Sequence, residues 1–234
     1  MNGDYIMLKK IIHSCAIITI AVTVFCIATS MAHAATIDTT GTKAGDVYNF
    51  GVPKTATYGQ TFSISGTDTV LNSFSLYLEK GTTRTNTTLN VRGYIASWDG
   101  SKASTILYES ATQTMNAAGT LQEFKFSTGG LDLVSGNWYV AFLSTSNLGV
   151  QSTSQFGMPY SSVDAIPGQF VYMNNSTNFS QLTTQAWSTA SWVGTNDAWF
   201  KADLSPDPVP EPSTMLLLGS GLVGLVGLRK KFKK

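Results

Sequence analysis

The chain has 234 residues with 15 basic and 14 acidic side chains, so its length fits one or two domains and its net charge is close to zero. This balance argues against a nucleic-acid-binding protein, and 12% charged residues with a mean hydropathy of +0.05 are typical neither of a disordered chain nor of a highly charged helical protein. The composition is uneven, because both ends differ from the middle.

The N-terminal residues have the three parts of a secretory signal peptide. Lys9-Lys10 precedes an apolar stretch over residues 11–28, and the small-X-small tripeptide Ala32-His33-Ala34 follows. This order predicts export and cleavage by signal peptidase after Ala34, with Ala32 and Ala34 as the recognised residues. A retained N-terminal membrane helix is the alternative.

Residues 35–204 form the predicted exported domain. They include 8 basic and 11 acidic side chains, a net charge near −3, which argues against nucleic acid or an anionic membrane surface as a partner. Both cysteines and both histidines of the chain lie in the predicted signal peptide. Ser-His-Asp and Cys-His catalysis, metal sites built on imidazole or thiolate, and disulfide bonds are therefore excluded within this domain.

The hydrophobic pattern of the domain is that of short β-strands. Apolar and polar residues alternate in residues 62–65, 72–79 and 123–127, as in strands with one buried and one solvated face. Turn sequences rich in glycine, serine, aspartate and proline separate further apolar stretches. These stretches cover residues 88–98, 104–108, 137–143, 168–173 and 198–202.

About eight or nine short strands without a helical stretch predict an all-β domain. We expect a two-sheet antiparallel β-sandwich of jelly-roll type, flanked by a signal helix and a C-terminal hydrophobic helix, with a closed barrel as the alternative. Residues 137–143 have apolar side chains at both odd and even positions. This predicts a central strand that is covered on both faces.

Parts of the domain resemble carbohydrate-binding β-sandwiches. The similar segments are Tyr94–Gly100, Leu107–Tyr108, Gly129–Leu131 and Trp138–Leu143. The resemblance implies the fold and its setting, and it provides no motif whose residues carry over as a site.

A sugar site needs flat aromatic faces for the apolar side of the ring and amide or carboxylate groups for its hydroxyls. Residues 151–199 combine tryptophan and tyrosine with several asparagines, so we predict the ligand site there. The candidate ligand-binding residues are Trp187, Trp192, Tyr172 and Asn174.

The five tryptophans are expected to differ in exposure. Trp187 and Trp192 stand five residues apart among Ser, Thr and Ala, which favours exposure. Trp98, Trp138 and Trp199 are expected to pack in the core or at the ends of the sheets.

No cofactor is predicted. Four aspartates in loops are expected to be turn or cap residues, with a structural calcium ion held by carboxylate and backbone oxygens as the alternative. They are Asp99, Asp132, Asp164 and Asp197.

The C-terminal part begins as a linker, because four prolines in residues 205–213 hold the chain extended. Residues 214–228 are apolar or small and predict a membrane helix of roughly 22 Å, which snorkelling basic residues and local bilayer thinning would fit to a hydrocarbon core of roughly 30 Å. Five basic residues then close the chain and predict a cytoplasmic C-terminus with the domain outside. They are Arg229, Lys230, Lys231, Lys233 and Lys234.

Pro210-Glu211-Pro212, the glycine-rich apolar segment and the basic cluster together resemble the PEP-CTERM sorting signal of Gram-negative exopolysaccharide-producing bacteria, over residues 209–234. The resemblance implies recognition by a membrane-embedded exosortase, cleavage near Pro210-Glu211-Pro212, and release or transfer from the inner membrane to the cell surface. A permanent C-terminal anchor on a structural or adhesive surface protein is the alternative.

These features predict an exported, surface-sorted, non-enzymatic protein of the envelope or of an exopolysaccharide biofilm matrix, with carbohydrate binding as a nested hypothesis. The predicted partners are the export machinery, signal peptidase, an exosortase, polysaccharide, and the membrane before processing. A glycoside hydrolase or lyase that uses two carboxylates is the enzymatic alternative, although the acidic residues show no recognisable catalytic pair.

Overall fold

The computed structural model describes residues 35–53, 55–81, 88–115, 121–149, 156–207 and 220–221. The predicted signal peptide with Ala32 and Ala34 lies outside these residues. So does the predicted sorting signal apart from residues 220–221, including Pro210-Glu211-Pro212 and the basic cluster. No helix within the described ranges is long and apolar enough to cross a membrane.

Thirteen strands and one short helix make up the described elements. In chain order they are β1 (Ala35–Asp38), β2 (Lys43–Phe50), β3 (Thr57–Ser63), β4 (Val70–Lys80), β5 (Leu89–Trp98), β6 (Ala103–Glu109), β7 (Gln113–Met115), β8 (Leu121–Asp132), β9 (Trp138–Ser144), β10 (Phe156–Ser161), β11 (Phe170–Met173), α1 (Gln181–Thr184), β12 (Ser188–Thr189) and β13 (Phe200–Ser205).

The strands form two antiparallel sheets. Sheet A has the order β1-β13-β4-β10-β2, in which β13 and β10 pair with successive parts of the same edge of β4. Strand β8 pairs with the opposite edge of β4, since Glu79 of β4 pairs with both Leu121 of β8 and Gly157 of β10. Sheet B has the order β12-β11-β3-β9-β5-β6, and β7 pairs with the first residues of β5. The predicted all-β, two-sheet antiparallel sandwich is confirmed, and the alternative of a closed barrel is wrong for the described strands.

The main core lies between the inner faces of the two sheets. The Phe62 ring of sheet B lies 5.1 Å from the Phe200 ring of sheet A, and the Phe74 and Phe126 rings, on paired strands of sheet A, are 5.0 Å apart. All four side chains are buried. Full burial of such a side chain contributes about 1.5–3 kcal/mol to the stability of the fold. The period-two pattern of the sequence therefore determines which face of each strand packs into this core.

A second apolar cluster covers the outer face of sheet B. Val140 and Phe142 of β9 belong to it, whereas Tyr139, Ala141 and Leu143 face the inner core. Residues 179–187, which include α1, pack over this outer face. Strand β9 pairs with β3 on one edge and β5 on the other, so the predicted central strand covered on both faces is confirmed.

One end of the sandwich carries both chain termini of the domain. Ala35 of β1 pairs with Leu204 of β13, so the first described residue lies beside the start of the linker. The backbone N–H of Gly136 donates to the Ile64 carbonyl at 2.8 Å, which brings the start of β9 to the end of β3. We call this the tail end, and the opposite end, where β2 ends and β3 begins, the distal end.

Candidate functional site

Three of the four predicted ligand residues line one pocket at the distal end. Trp192, Tyr172 and Asn174 border a pocket of about 180 Å³, which we call the Trp192 pocket. Trp192 is 65% exposed. The other lining residues come from β2, β3 and the loop between them, and they are Val47, Tyr48, Asn49, Thr55 and Tyr58.

Strand pairing and hydrogen bonds fix the walls of this pocket. Tyr172 of β11 pairs with Tyr58 of β3, and the two rings meet edge-on at 6.4 Å. The Tyr58 hydroxyl donates to the Tyr48 carbonyl at 2.6 Å, and burial raises the pKa of Tyr58 above its ordinary value. Thr55 Oγ1 donates to Asn174 Oδ1 at 2.6 Å. This bond orients the Asn174 side chain, whose amide N–H groups have no hydrogen-bond acceptor among the described residues.

Trp187 does not share this environment, and the expectation that it is exposed was wrong. It is 8% exposed, and its Nε1 donates to the Leu182 carbonyl at 2.8 Å. Its ring lies edge-on to Phe142 at 5.3 Å and to Trp98 at 5.7 Å. Trp187 is therefore part of the cover on sheet B, because the apolar outer face of β5 and β9 lies beneath it.

The other tryptophans divide differently from the expectation. Trp199 is partly buried and packs edge-on against Tyr77 of β4 at 5.8 Å, and neither of these two side chains belongs to the two core clusters. Trp138 is 41% exposed, and it lines a second pocket of about 390 Å³ together with the half-buried Trp98. Sequence reasoning missed this pair. The signal in the sequence was the alternation along residues 137–143, which places Trp138 on the same face of the strand as Val140 and Phe142.

Two of the four candidate calcium aspartates make backbone hydrogen bonds. Asp99 accepts from the N–H groups of Ser101 and Lys102, both at 2.8 Å, and these bonds lower its pKa. Asp197 is fully buried, and burial raises its pKa despite hydrogen bonds from Ala165 and Ile166. Within the described ranges no three acidic, histidine or cysteine side chains come together as a metal site. Bound calcium therefore stays an untested alternative.

One pair of carboxylates on the outer face of sheet A shares a lysine. Lys43 Nζ lies 2.7 Å from Asp46 Oδ2 and also contacts Glu79 Oε2. Burial raises the pKa of Asp46, partly offset by its bond to Lys43. Neither carboxylate lines the two pockets described above. In glycoside cleavage the sugar lies between the two carboxyl groups, and here Lys43 occupies that position.

The C-terminal sequence matches a known sorting signal. Residues 208–231 match the PEP-CTERM protein-sorting motif. The match includes Pro210-Glu211-Pro212 and the first three residues of the basic cluster, in agreement with the resemblance noted from the sequence. It indicates an exported protein that an exosortase sorts to the cell surface of a Gram-negative bacterium.

Two solved structures are similar to the chain in fold. One is the clostridial cysteine protease Cwp84 in a variant form after propeptide cleavage, with a TM-score of 0.50 and 11% identity, over 74% of this chain and 40% of that one. The other contains the cysteine protease and lectin-like domains of Cwp84, a surface layer associated protein of Clostridium difficile, with a TM-score of 0.43 and 14% identity, over 66% of this chain and 33% of that one. The chain thus spans 40% or less of their length. No curated protein matches it in sequence.

Proposed function

We propose that the chain is a non-enzymatic surface protein that binds carbohydrate in the outer envelope or the exopolysaccharide matrix and contributes to biofilm structure. In this proposal signal peptidase cleaves after Ala34, and residues 214–228 hold an intermediate in the inner membrane. An exosortase then cleaves near Pro210-Glu211-Pro212. The sorting motif at residues 208–231 supports this route.

The chemistry of the domain supports a non-enzymatic role. Residues 35–234 contain no cysteine and no histidine, so they cannot carry the cysteine-protease chemistry for which the similar structures are named. The enzymatic alternative, glycoside cleavage by two carboxylates, would need an acid pair open to a substrate. The pair formed by Asp46 and Glu79 is instead bridged by Lys43.

The convergence of three predicted residues on the Trp192 pocket carries the proposal of carbohydrate binding. Trp192 and Tyr172 provide aromatic faces, and the amide of Asn174 provides hydrogen-bond donors. None of the described side chains that line the pocket is charged, which favours a neutral sugar over an acidic one. The pocket volume of about 180 Å³ is smaller than the roughly 300 Å³ of most small-molecule sites. The pocket therefore has room for no more than one sugar unit.

Binding is tested with the full-length chain in a detergent without a sugar headgroup, on an array of neutral and acidic glycans. We expect binding to neutral glycans and a loss of about tenfold in affinity for Trp192→Ala. Val163→Ala, an exposed apolar position outside the pocket, is the matched control and should bind like the wild type. Equal binding by Trp192→Ala and wild type would remove the assignment of this pocket.

Sorting is tested in cells with and without the exosortase gene. We expect a C-terminally shortened form at the surface of the first strain and an uncleaved, membrane-held form in the second, by immunoblotting and immunolocalisation. Unchanged processing and surface delivery in the second strain would overturn the sorting route. An uncleaved form in both strains would support the permanent anchor instead.

A further inference from the structure

A second pocket on sheet B brings together two tryptophans from adjacent strands. The ladder between β5 and β9 ends with Ser97 opposite Tyr139, so Trp98 and Trp138 are the next neighbours across the two strands. Trp138 has the parity of Val140 and Phe142, which lie on the outer face, and Trp98 packs against the same outer cluster. Facing side chains on neighbouring strands stand about 5 Å apart at Cβ. Both indoles line the same pocket on this face.

The two indoles of this Trp98–Trp138 pocket differ in how they are held. The edge-on contact with Trp187 at 5.7 Å fixes the Trp98 ring. Trp138 is 41% exposed and stacks on no other aromatic ring of the described residues. An exposed indole at the mouth of a pocket of about 390 Å³ leaves a large apolar face for a ligand to cover.

Polar groups border the pocket on the side of β3 and β11. The backbone of Gln169 is fixed, because its N–H donates to Thr61 Oγ1 at 2.9 Å and its carbonyl accepts from the Thr61 N–H at 3.0 Å. Gln169 is half-buried and lines the pocket, and its side-chain amide makes no hydrogen bond with the rest of the described chain. A half-buried amide supplies two donors and one acceptor, which suits the hydroxyl groups of a sugar.

A glycine lies directly against β3 at the border of the pocket. At Gly168, which has a φ of +148°, a Cβ would stand 1.9 Å from the Thr61 carbonyl oxygen. No other residue fits there, so this close contact between the Gly168 backbone and β3 holds the segment before Gln169 in place, and Gly168 and Thr61 both line the pocket.

We propose that the Trp98–Trp138 pocket is a second binding site, for one or more neutral pyranose units of a polysaccharide. Among the described residues that line it none is charged, and its volume lies in the range of about 300–1,000 Å³ that is usual for ligand sites. The choice of a sugar rests on the proposed function. The site itself rests on Trp98, Trp138 and Gln169, none of which lines the Trp192 pocket.

The positions of the two pockets give the protein two binding ends. Trp138 begins β9 at the tail end, whereas the Trp192 pocket is built at the distal end, where β2 ends and β3 begins. One polysaccharide chain can bind at each end, so a single domain can link two chains. Two weak sites on one domain also raise the overall affinity for a polymer without any further contact.

The test is isothermal titration of the full-length chain with neutral hexasaccharides (cellohexaose, maltohexaose and mannohexaose) in a detergent without a sugar headgroup. We expect the wild type to bind at least one of them with a stoichiometry of two. Trp138→Ala should weaken one site about tenfold or more and leave the other unchanged. Trp138→Phe keeps a flat ring and should retain most of the affinity. Gln169→Leu removes the amide but keeps a side chain of similar size, and it should weaken the same site.

Folding and ligand class are controlled separately. Val134→Ala, at an exposed apolar position outside the pocket, is the matched control, and circular dichroism of each variant should match the wild type. Unchanged affinity and stoichiometry for both Trp138→Ala and Gln169→Leu would overturn the second site while leaving the proposed function in place. Absence of binding by the wild type to all three probes would overturn both proposals.

Discussion

Residues 179–187 and residues 190–196 follow each other in the chain and have similar compositions, but they are held in different ways. The first stretch lies over the outer face of sheet B, where Leu182 and Trp187 are buried against Phe142. The second stretch inserts Ala190 and Val193 into the inner core and leaves Trp192 in solvent at the distal end. Burial of each tryptophan thus depends on the surface beneath it and not on its neighbours in sequence.

The two stretches also end differently. The first stretch is bound to the turn between β5 and β6, since the backbone N–H of Trp187 donates to the Ser101 carbonyl at 2.9 Å. The second leads into Asp197, whose Oδ1 accepts from Gln60 Nε2 at 2.6 Å inside the domain. Apolar cover stabilises the first stretch, and a buried polar network fixes the second. Trp192 can be exposed because this network and the buried side chains of Ala190 and Val193, rather than its own packing, hold the loop.

Trp187→Ala tests the apolar side of this difference and should have the largest effect. Removing a buried indole leaves a cavity and an unpaired Leu182 carbonyl, so we expect a loss of about 4 kcal/mol in the free energy of unfolding. Urea unfolding followed by circular dichroism measures it. Trp187→Phe keeps a ring and should lose less, about 2 kcal/mol. A loss below about 1 kcal/mol for Trp187→Ala would show that the cover contributes little to stability.

Asp197→Asn tests the polar side and should cost about 2 kcal/mol at neutral pH. Both carboxylate oxygens of Asp197 accept hydrogen bonds, one from Gln60 Nε2 and the other from the backbone N–H groups of Ala165 and Ile166. In asparagine one of these oxygens is replaced by an N–H₂ group, so a donor faces another donor in either orientation of the amide. Gln60 cannot rotate to compensate, because its Oε1 accepts from the Ala198 N–H at 2.8 Å. Urea unfolding against the wild type measures the loss.

The pH dependence of that difference gives a second measurement. Burial raises the folded-state pKa of Asp197 above the ordinary value of 3.8, so the folded state takes up this proton at a higher pH than the unfolded state. The wild type should therefore gain stability relative to Asp197→Asn as pH falls through the folded-state pKa toward 3.8, and the difference should stay constant at higher pH. A difference that shrinks on acidification would contradict this environment for the carboxylate.

Local patterns predicted the parts of the molecule that depend on local periodicity. Alternation identified strands such as β4 and β8, and the apolar run at residues 137–143 identified the central strand β9. The grouping of Trp192, Tyr172 and Asn174 in one pocket also followed from a stretch rich in aromatic and amide residues, although their role as ligands stays a prediction.

The features that escaped prediction depend on strand pairing between distant residues. Trp98 and Trp138 become neighbours only through the register of β5 against β9, which periodicity does not set. The bond between Gln60 and Asp197 joins residues 137 positions apart, and nothing in the sequence near either residue indicates it. Trp187 was misjudged for the same reason, because its partners Trp98 and Phe142 lie on strands far away in sequence.

Trp192→Ala should have the smallest effect on stability and so completes the comparison with Trp187→Ala. Because the side chain is 65% exposed, we expect a change within about 0.5 kcal/mol in the free energy of unfolding, although the same variant should lose affinity for neutral glycans. Acrylamide should quench a fluorescence component that this variant lacks, whereas Trp187→Phe should leave the quenched component unchanged. A loss above about 1 kcal/mol for Trp192→Ala would mean that Trp192 helps hold the loop, and a lower affinity could then no longer be assigned to ligand contact alone.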